Sequence, residues 1–369
     1  MRIGVLTLPF DANYGGILQT WALQIILKRM GHNVEVFNLK SKYYRSWYMM
    51  PFVWAYRTAK KMVGQLNAPI FCEHKYAKEK QHKYGLIYRF YNDRINSRAI
   101  KSLDELANAY YDTIVVGSDQ IWREEYIRYL WHSAKAENAF MYQTVHSSVR
   151  KVAYAASLGI DQWSFDKGTT MRIKRALESY SGISVREKSA VELLRKNTGM
   201  ESIHVCDPTM FLSAEEYITL FGIKKGVGSG IVSYILDSTD MSEALLSKVA
   251  DSSNRSICEL NKTDEFGRFP SVEHWVETIA NAEIVITDSF HGCIFSIIFR
   301  KPLIFMVNNH RGSARFTSLV ETFGLSDHKI AVADDFNMHK SYVLPCDIDE
   351  RINNLKSKSL EFLRQNLEE

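Results

Sequence analysis

The chain has 369 residues, of which 46% are apolar and 24% are charged, a balance typical of a packed globular protein with about two domains. Its net charge of +4 gives no support for nucleic acid as a partner. The five scattered cysteines have no CxxC spacing, which argues against a disulfide framework or a structural zinc site and favours a reducing, cytoplasmic location.

The N-terminal residues predict a strand, a helix and a second strand. The apolar run at 3–8 is too short for a signal peptide and predicts a buried strand. Apolar residues then recur at helical spacing over 18–25, and a strand is predicted at 34–39. This order places the loop 9–16 at the carboxyl end of the first strand, where α/β proteins bind their ligands.

The rest of the chain predicts two α/β domains. Further strands are predicted at 113–117, 152–156, 182–185 and 203–206, and the pattern restarts at 231–236, 256–260, 283–287 and 302–306. We assign 1–212 to a first Rossmann-like domain, 226–346 to a second, and 347–369 to a terminal helix that packs back on the first. The predicted fold class is α/β, with two Rossmann-like domains facing a cleft.

The segment 41–91 fits neither domain, and we interpret it as an inserted helical region. It is rich in aromatic and basic residues, a mixture found where proteins contact a bilayer surface. One prediction is therefore peripheral contact with the inner face of the membrane. The alternative is that the aromatic side chains pack on the first domain and the lysines form its solvated face. No apolar stretch is long enough to cross a bilayer.

The first candidate site motif is a pair of glycines at the start of the first helix. In Asn13-Tyr-Gly-Gly, Gly15 and Gly16 directly precede the apolar helical pattern. Backbone N–H groups and the positive end of the helix dipole then face an anion. The alternative is a tight turn that needs glycine for its backbone angles.

Polar side chains also follow two strands of the first domain. Ser118, Asp119 and Gln120 end the strand at 113–117, where catalytic groups commonly lie, although an aspartate there can also cap a helix. Arg186 stands between a strand and a helix, a position from which it can bind a phosphate or carboxylate bidentately. A surface ion pair is the alternative for this arginine.

The strongest motif lies in the second domain. Asp288, Ser289 and His291 follow an apolar strand and precede a glycine and an apolar helix. A histidine at that point can donate a hydrogen bond to an anion or transfer a proton, whereas a structural role is the alternative. Arg311 and Arg315 follow the next strand and either add positive charge to the cleft or form a solvated helix start. No set of residues has the spacing of a metal site.

Five segments in order give the chain a resemblance to a known family. NYGGILQTWALQ, VVGSDQIW, SVREKSAVELL, CDPTMFL and ITDSFHGCIFSIIFRKPLIF resemble the polysaccharide pyruvyl transferases. The resemblance implies a fold like that of two-Rossmann (GT-B) glycosyltransferases. It also implies transfer of pyruvate from phosphoenolpyruvate, a co-substrate, to two hydroxyls of a sugar in a cell-surface polysaccharide or its lipid-linked precursor. The product is a ketal, and the resemblance implies no metal and no other cofactor.

The resemblance also implies roles for the candidate residues. His291 becomes a proton donor, and Asp119 orients or deprotonates the acceptor. The donor-binding set is Arg186, Asn13, Gly15, Gly16, Ser289, Arg311 and Arg315. The acceptor-binding set is Ser118, Gln120 and Asp288.

One departure from the family pattern concerns the histidine motif. Family members often have Ser-Arg-Leu-His-Gly, so Ser289 stands where an arginine is expected. Either Arg311 or Arg315 supplies the missing charge, or the donor is not phosphoenolpyruvate. The competing functions are a GT-B glycosyltransferase that uses a nucleotide sugar and a glycan-binding protein without catalytic activity.

Overall fold

The computed structural model describes most of the chain. The described residues are 1–39, 47–64, 70, 73–106, 110–130, 135–146, 148–224, 226, 228 and 230–368, with the side chains of 47, 73–75, 129 and 130 left aside. Parts of the predicted insertion, at 41–46, 65–69 and 71–72, therefore lie outside the described residues.

The first sheet has seven parallel strands. In chain order they are β1 Arg2–Leu6, β2 Asn33–Leu39, β3 Ser97–Ile100, β4 Thr113–Val116, β5 Arg150–Ala156, β6 Gly182–Val185 and β7 Ile203–His204. Their spatial order is β3-β2-β1-β4-β5-β6-β7. The central strands β1 and β4 are apolar and buried along almost their whole length, as parallel strands covered on both faces must be.

Helices cover both faces of this sheet. They are α1 Tyr14–Arg29, α2 Met50–Met62, α3 Glu73–Arg94, α4 Glu124–Leu130, α5 Lys167–Leu177, α6 Lys188–Thr198 and α7 Ala214–Phe221. Local sequence sets several of their ends. The side chain of Asp166 caps α5, and Gly199 ends α6 in the left-handed conformation with φ 73°. Ser213 and Glu216 form a capping box at the start of α7.

The second sheet has four parallel strands and its own helices. The strands are β8 Gly230–Tyr234, β9 Ile257–Glu259, β10 Ala282–Thr287 and β11 Leu303–Phe305, in the spatial order β11-β10-β8-β9. The helices are α8 Asp240–Ser253, α9 Val272–Ala280, α10 Phe290–Ile298, α11 Ala314–Phe323 and α12 Ile348–Leu367. The predicted α/β class with two Rossmann-like units is confirmed.

Each strand predicted from the sequence overlaps an observed strand, with ends that differ by one or two residues at most positions. The exception is β3, which the sequence analysis did not predict. Its four residues include exposed Ser97 and Ala99 and half-buried Arg98, and only Ile100 is buried. An edge strand of this kind carries no apolar run, because one of its sides faces solvent.

Two helices connect the sheets. The Tyr14 hydroxyl, at the start of α1, donates to the Pro270 carbonyl at 2.7 Å, and its ring stacks on Trp275. The terminal helix α12 follows the second sheet but packs against the first, where the Ser359 hydroxyl oxygen accepts from the backbone N–H of Cys206 at 2.9 Å. These contacts close the two units on each other. Of the helices described, none is long and apolar enough to cross a bilayer.

Candidate active site

A cavity of about 260 Å³ lies between the two sheets. Its walls are the segments that follow β1, β4, β8 and β10, at the carboxyl ends of strands from both units. Nine of the residues selected from the sequence line it: Asn13, Gly16, Asp119, Gln120, Asp288, Ser289, His291, Arg311 and Arg315. Of the remaining three, Gly15 and Arg186 pack directly against members of this set, and Ser118 is buried beside Asp119.

The start of α1 forms one wall and brings the two units into contact. The side chain of Asn13 caps the helix by accepting from the Gly16 N–H at 3.3 Å. A Cβ built on Gly15 would lie 2.0 Å from Nδ1 of His291, so only glycine leaves room for that ring. A Cβ on Gly16 would lie 3.6 Å from Oδ2 of Asp119. The glycine pair therefore lets the backbone approach both candidate catalytic side chains.

Asp119 follows β4 and holds an ionised carboxylate in the cavity wall. Its Oδ1 accepts from the backbone N–H of Gln120 at 2.9 Å and from Arg186 at 3.1 Å. Burial acts to raise the pKa of Asp119, but the positive charges of Arg186, His291 and Arg315 outweigh it and lower the pKa below its ordinary value. The residue adopts a positive φ of 71°, which turns its side chain out of the strand direction.

Arg186 lies behind Asp119 and does not line the cavity. Its guanidinium donates to Asp207 at 3.0 Å as well as to Asp119, and its side chain is only 1% exposed. The two terminal guanidinium nitrogens, with which an arginine would bind a phosphate, therefore already donate to carboxylates. The structure places this predicted donor-binding residue where it fixes other side chains.

Asp207 also belongs to the site. It lies in the segment CDPTMFL, which supports the family resemblance, but it was not predicted as a site residue. It accepts from the backbone N–H and the hydroxyl of Thr209, at 3.0 and 2.7 Å, besides pairing with Arg186. Burial opposes ionisation, yet His291 and Arg186 hold the pKa of Asp207 far below its ordinary range. The sequence signal was an Asp-Pro pair directly after a predicted strand.

His291 occupies the first turn of α10, between Asp207 and the start of α1. Its Nε2 lies 3.4 Å from Oδ2 of Asp207, and its Nδ1 edge faces Gly15. The ring is buried, so these two neighbours set its orientation. A carboxylate next to Nε2 stabilises a proton on that nitrogen.

Arg315 is a buried cation that makes no ion pair with any described residue. Its side chain donates to the carbonyl of Arg311, and Nε has no partner in the described part of the chain. The guanidinium carbons of Arg315 and Arg186 lie 5.3 and 4.8 Å from the same ring, that of Phe290. Burial and the charge of Arg186 lower the pKa of Arg315 to about 10. The cavity wall therefore carries a positive charge that lacks a direct ion pair among the described residues, although Asp119 and Glu187 attract it at longer range.

Arg311, by contrast, has a partner. It donates to both carboxylate oxygens of Asp237, at 2.5 and 2.9 Å. This bidentate pair neutralises its charge at the edge of the cavity. Of the two arginines predicted to supply the missing family charge, Arg311 forms a direct ion pair and Arg315 forms none with a described residue.

The remaining predicted residues mainly support the walls. Asp288 accepts from the backbone N–H groups of Leu236 and Asp237, at 2.6 and 3.1 Å, and so holds the loop after β8. Ser289 caps α10 by accepting from the Gly292 N–H at 3.3 Å. Burial raises the pKa of Asp288 although these hydrogen bonds favour its charged form.

Gln120 and Ser118 lie on the side of the first unit. The Gln120 carbonyl oxygen accepts from Arg123 at 3.0 Å and sits so close to Gly159 that a Cβ there would approach it to 2.0 Å. The backbone carbonyl of Ser118 accepts from the Thr7 hydroxyl at 3.2 Å, and the Ser118 hydroxyl itself has no partner among the described residues. Gln120 thus lines the cavity and also packs against Gly159 behind it.

The other end of the cavity is largely apolar and was not predicted. Phe10 and Tyr91 pack with ring centroids 3.9 Å apart and ring planes tilted by 32°, and both line the wall. Gln19 of α1 is 1% exposed, and its side-chain carbonyl oxygen has no partner in the described structure. An aromatic surface beside an unpaired amide suits a sugar ring, which presents both C–H and O–H groups.

These residues match a known family. The family model for polysaccharide pyruvyl transferase matches residues 13–310, which include the glycine pair, Asp119, Arg186, Asp207 and His291. The chain belongs to the polysaccharide pyruvyl transferase family. No curated protein sequence matches it.

Several solved structures resemble this pyruvyl transferase family member at low identity. The heptosyltransferase WaaC of E. coli with ADP is 13% identical, with 85% of this chain and 90% of that chain covered and a TM-score of 0.36. UGT89C1 of Arabidopsis thaliana complexed with UDP-L-rhamnose is 11% identical, with 98% and 94% covered and a TM-score of 0.47. The UDP-GlcNAc 2-epimerase of Neisseria meningitidis bound to UDP-GlcNAc is 8% identical, with 100% and 94% covered and a TM-score of 0.44.

Among the described residues of this pyruvyl transferase family member, no group of three or more His, Cys, Asp or Glu side chains is arranged to hold a metal ion. Metal-independent activity stays a prediction, to be tested with a chelator.

Proposed function

We propose that this protein transfers a pyruvyl group from phosphoenolpyruvate to two hydroxyls of one sugar in a polysaccharide or its lipid-linked precursor. The observation that supports this most is Arg315, a buried cation that forms no direct ion pair with a described residue, in the same cavity as Asp119 and His291. A bound anion would supply a direct partner for its guanidinium. Family membership supports pyruvyl transfer as the reaction class.

The size of the cavity favours a small donor. Its volume of about 260 Å³ is below the range of roughly 300–1,000 Å³ typical of sites that enclose drug-sized ligands. Phosphoenolpyruvate is a compact molecule with a phosphate and a carboxylate. Arg315 and the first turn of α1 are the two positive features that would hold these groups. One of these positive features would bind the phosphate of phosphoenolpyruvate, and the other would bind its carboxylate.

The reaction has two steps in this proposal. A sugar hydroxyl adds to C2 of phosphoenolpyruvate while C3 takes up a proton, which converts the methylene into a methyl group. A second hydroxyl of the same sugar then forms a bond to C2 and loses its proton. The C2–O bond to phosphate breaks, and inorganic phosphate leaves with the bonding electrons and takes up that proton. The product is a ketal of pyruvate.

The candidate residues divide this work by their positions. His291 gives the proton to C3, from a ring whose Nε2 lies beside the carboxylate of Asp207. Asp119, whose pKa lies below its ordinary value, accepts the proton of the attacking hydroxyl or orients it. Arg186 holds Asp119 and Asp207 at fixed positions from behind. Arg315 replaces the arginine that many family members have at the position of Ser289.

The acceptor sugar occupies the aromatic end of the cavity in this proposal. Its ring packs on Tyr91 and Phe10, and one hydroxyl donates to the unpaired carbonyl oxygen of Gln19. Ser118, Gln120 and Asp288, the acceptor-binding residues predicted from the sequence, lie nearer the charged end. A hydroxyl bound there would be close to Asp119.

The test is a donor screen with purified full-length protein and a panel of glycan acceptors. We expect release of inorganic phosphate from phosphoenolpyruvate by ³¹P NMR and a new ketal methyl signal by ¹H NMR. The same panel is run with UDP-sugars and ADP-sugars. Consumption of a nucleotide sugar, with phosphoenolpyruvate left intact, would refute the proposal in favour of a glycosyltransferase. If no donor is consumed and glycans still bind, the protein is a glycan-binding protein.

A further inference from the structure

Helix α2 exposes a stripe of apolar side chains. Only Val53 of its described side chains is buried. Phe52, Tyr56 and Met62 are 73%, 60% and 82% exposed, and Tyr48 and Val63 at the two ends of the helix are 61% and 67% exposed. Positions 52, 56, 59 and 63 recur every three or four residues, so they lie on one side of the helix, with Met62 at the edge of that side and Tyr48 in the turn just before the helix. A surface helix normally turns such a stripe toward the core.

The stripe is bordered by positive charge. Arg57, Lys60 and Lys61 belong to α2, and the helix contains no Asp or Glu. The Lys60 ammonium lies 5.0 Å from the centre of the Tyr56 ring, so a cation and an exposed aromatic side chain occupy the same patch. An acidic surface complements this patch, and an apolar layer beneath that surface complements the rings.

Helix α3, the next helix after α2 in the chain, reaches the mouth of the cavity. Lys80 of α3 pairs with Asp11 at 3.3 Å, and Asp11 lines the cavity. Phe10 packs on Tyr88 and Tyr91 of α3, with ring centroids 5.4 and 3.9 Å apart. The helix that follows α2 in the chain therefore forms part of the acceptor end of the site.

We propose that the exposed stripe of α2 binds the surface of a bilayer that contains anionic lipid. The rings of Phe52 and Tyr56 and the side chain of Met62 enter the headgroup region, Lys60 contacts lipid phosphates, and Lys61 adds to the attraction between the helix and the anionic surface. An acidic protein would match the charges but has no need of an exposed apolar stripe that contains Phe52, Tyr56 and Val63. The inference is independent of the donor and would hold for any reaction on a lipid-linked substrate.

The experiment is co-sedimentation of the full-length protein with vesicles of phosphatidylcholine alone or with about one third phosphatidylglycerol, at low salt. We expect binding to the anionic vesicles. The variant Phe52→Ser/Tyr56→Ser/Met62→Ser should lose most of it. The matched control is Phe266→Ser/Met338→Ser/Val343→Ser, whose side chains are 62%, 55% and 63% exposed elsewhere on the surface. This control should bind as the wild type does.

Charge is tested separately. Lys60→Gln/Lys61→Gln should weaken binding to anionic vesicles by about thirty-fold, from the typical contribution of two lysines near an anionic surface. Exposed Lys174→Gln/Lys196→Gln should change it little. Far-UV circular dichroism and thermal unfolding establish that each variant folds.

Three outcomes would overturn the proposal. In the first, the wild type stays in the supernatant with anionic vesicles at low salt. In the second, the two serine variants lose binding equally. In the third, the wild type does not bind vesicles but self-associates in analytical ultracentrifugation, whereas the Phe52→Ser/Tyr56→Ser/Met62→Ser variant remains a monomer. The third result would make the stripe an interface between two copies of the chain. None of these readouts depends on phosphoenolpyruvate, so they are separate from the test of the proposed function.

Discussion

Replacing Arg315 by methionine should make the protein more stable and abolish donor binding. Burial and the charge of Arg186 lower the pKa of Arg315 from its ordinary value to about 10. Since one pKa unit corresponds to about 1.4 kcal/mol, holding this charge in the folded state costs ~3 kcal/mol. Methionine removes that cost and fills much of the same volume, but loses the hydrogen bond to the Arg311 carbonyl, a loss of ~1 kcal/mol. We expect a net gain of roughly 1–2 kcal/mol in the free energy of unfolding.

Arg186→Met is the matched comparison, because the same chemical change should have the opposite effect on stability. Arg186 pairs with Asp119 and Asp207, and removing it leaves two buried carboxylates without their main partner. Breaking a buried ion pair in this way typically costs ~3–5 kcal/mol. The two arginines share a neighbouring ring, yet their roles in the free protein differ.

The assay is urea unfolding of the wild type and both variants, with and without phosphoenolpyruvate. A ligand at a hundred times its Kd stabilises the folded state by about 2.7 kcal/mol, so the wild type should gain about this much. Arg315→Met should gain nothing from the ligand. If Arg315→Met is less stable than the wild type, or keeps the full gain from phosphoenolpyruvate, Arg315 is not an uncompensated anion-binding group.

Four further predictions concern other residues and conditions. Gly15→Ala should fold but lose activity by about a hundred-fold, because the new Cβ meets the ring of His291 and displaces it; steady-state kinetics measures this. His291→Gln should lower kcat by ~10²–10⁴ and change donor affinity much less, which separates proton transfer from binding. Burial lowers the pKa of His204 from 6.5 to about 4. Between these two pH values His204 is protonated in the unfolded state and neutral in the folded state. Wild-type stability should therefore fall by up to ~3 kcal/mol as pH drops from 6.5 to 4, and His204→Gln should flatten that slope in urea unfolding. Activity should persist in a chelator, and loss that a divalent ion restores would contradict the proposed mechanism.

The sequence determined the fold class and the segments that meet at the site. Buried parallel strands are continuous apolar runs, and the residues after them are polar or glycine, so local composition marks both. The strands before Asp119 and Asp288 were found in this way, and the cap formed by Asn13 depends only on neighbours three residues away. The edge strand β3 was missed because it has no apolar run to mark it.

The tertiary structure decided which charges are paired. Arg186 and Arg315 look equivalent in the sequence, but Arg186 pairs directly with Asp119 and Asp207 from 67 and 21 residues away. Arg315 makes no direct ion pair in the described structure and interacts with Asp119 and Glu187 only at longer range. Likewise, the apolar spacing in α2 predicts a helix and does not reveal that Phe52 faces outward. Helical and strand periodicity arise from backbone geometry within a few residues, which a sequence records directly. Burial and ion pairing depend on side chains that folding brings together from distant parts of the chain, so they follow only from the packed structure.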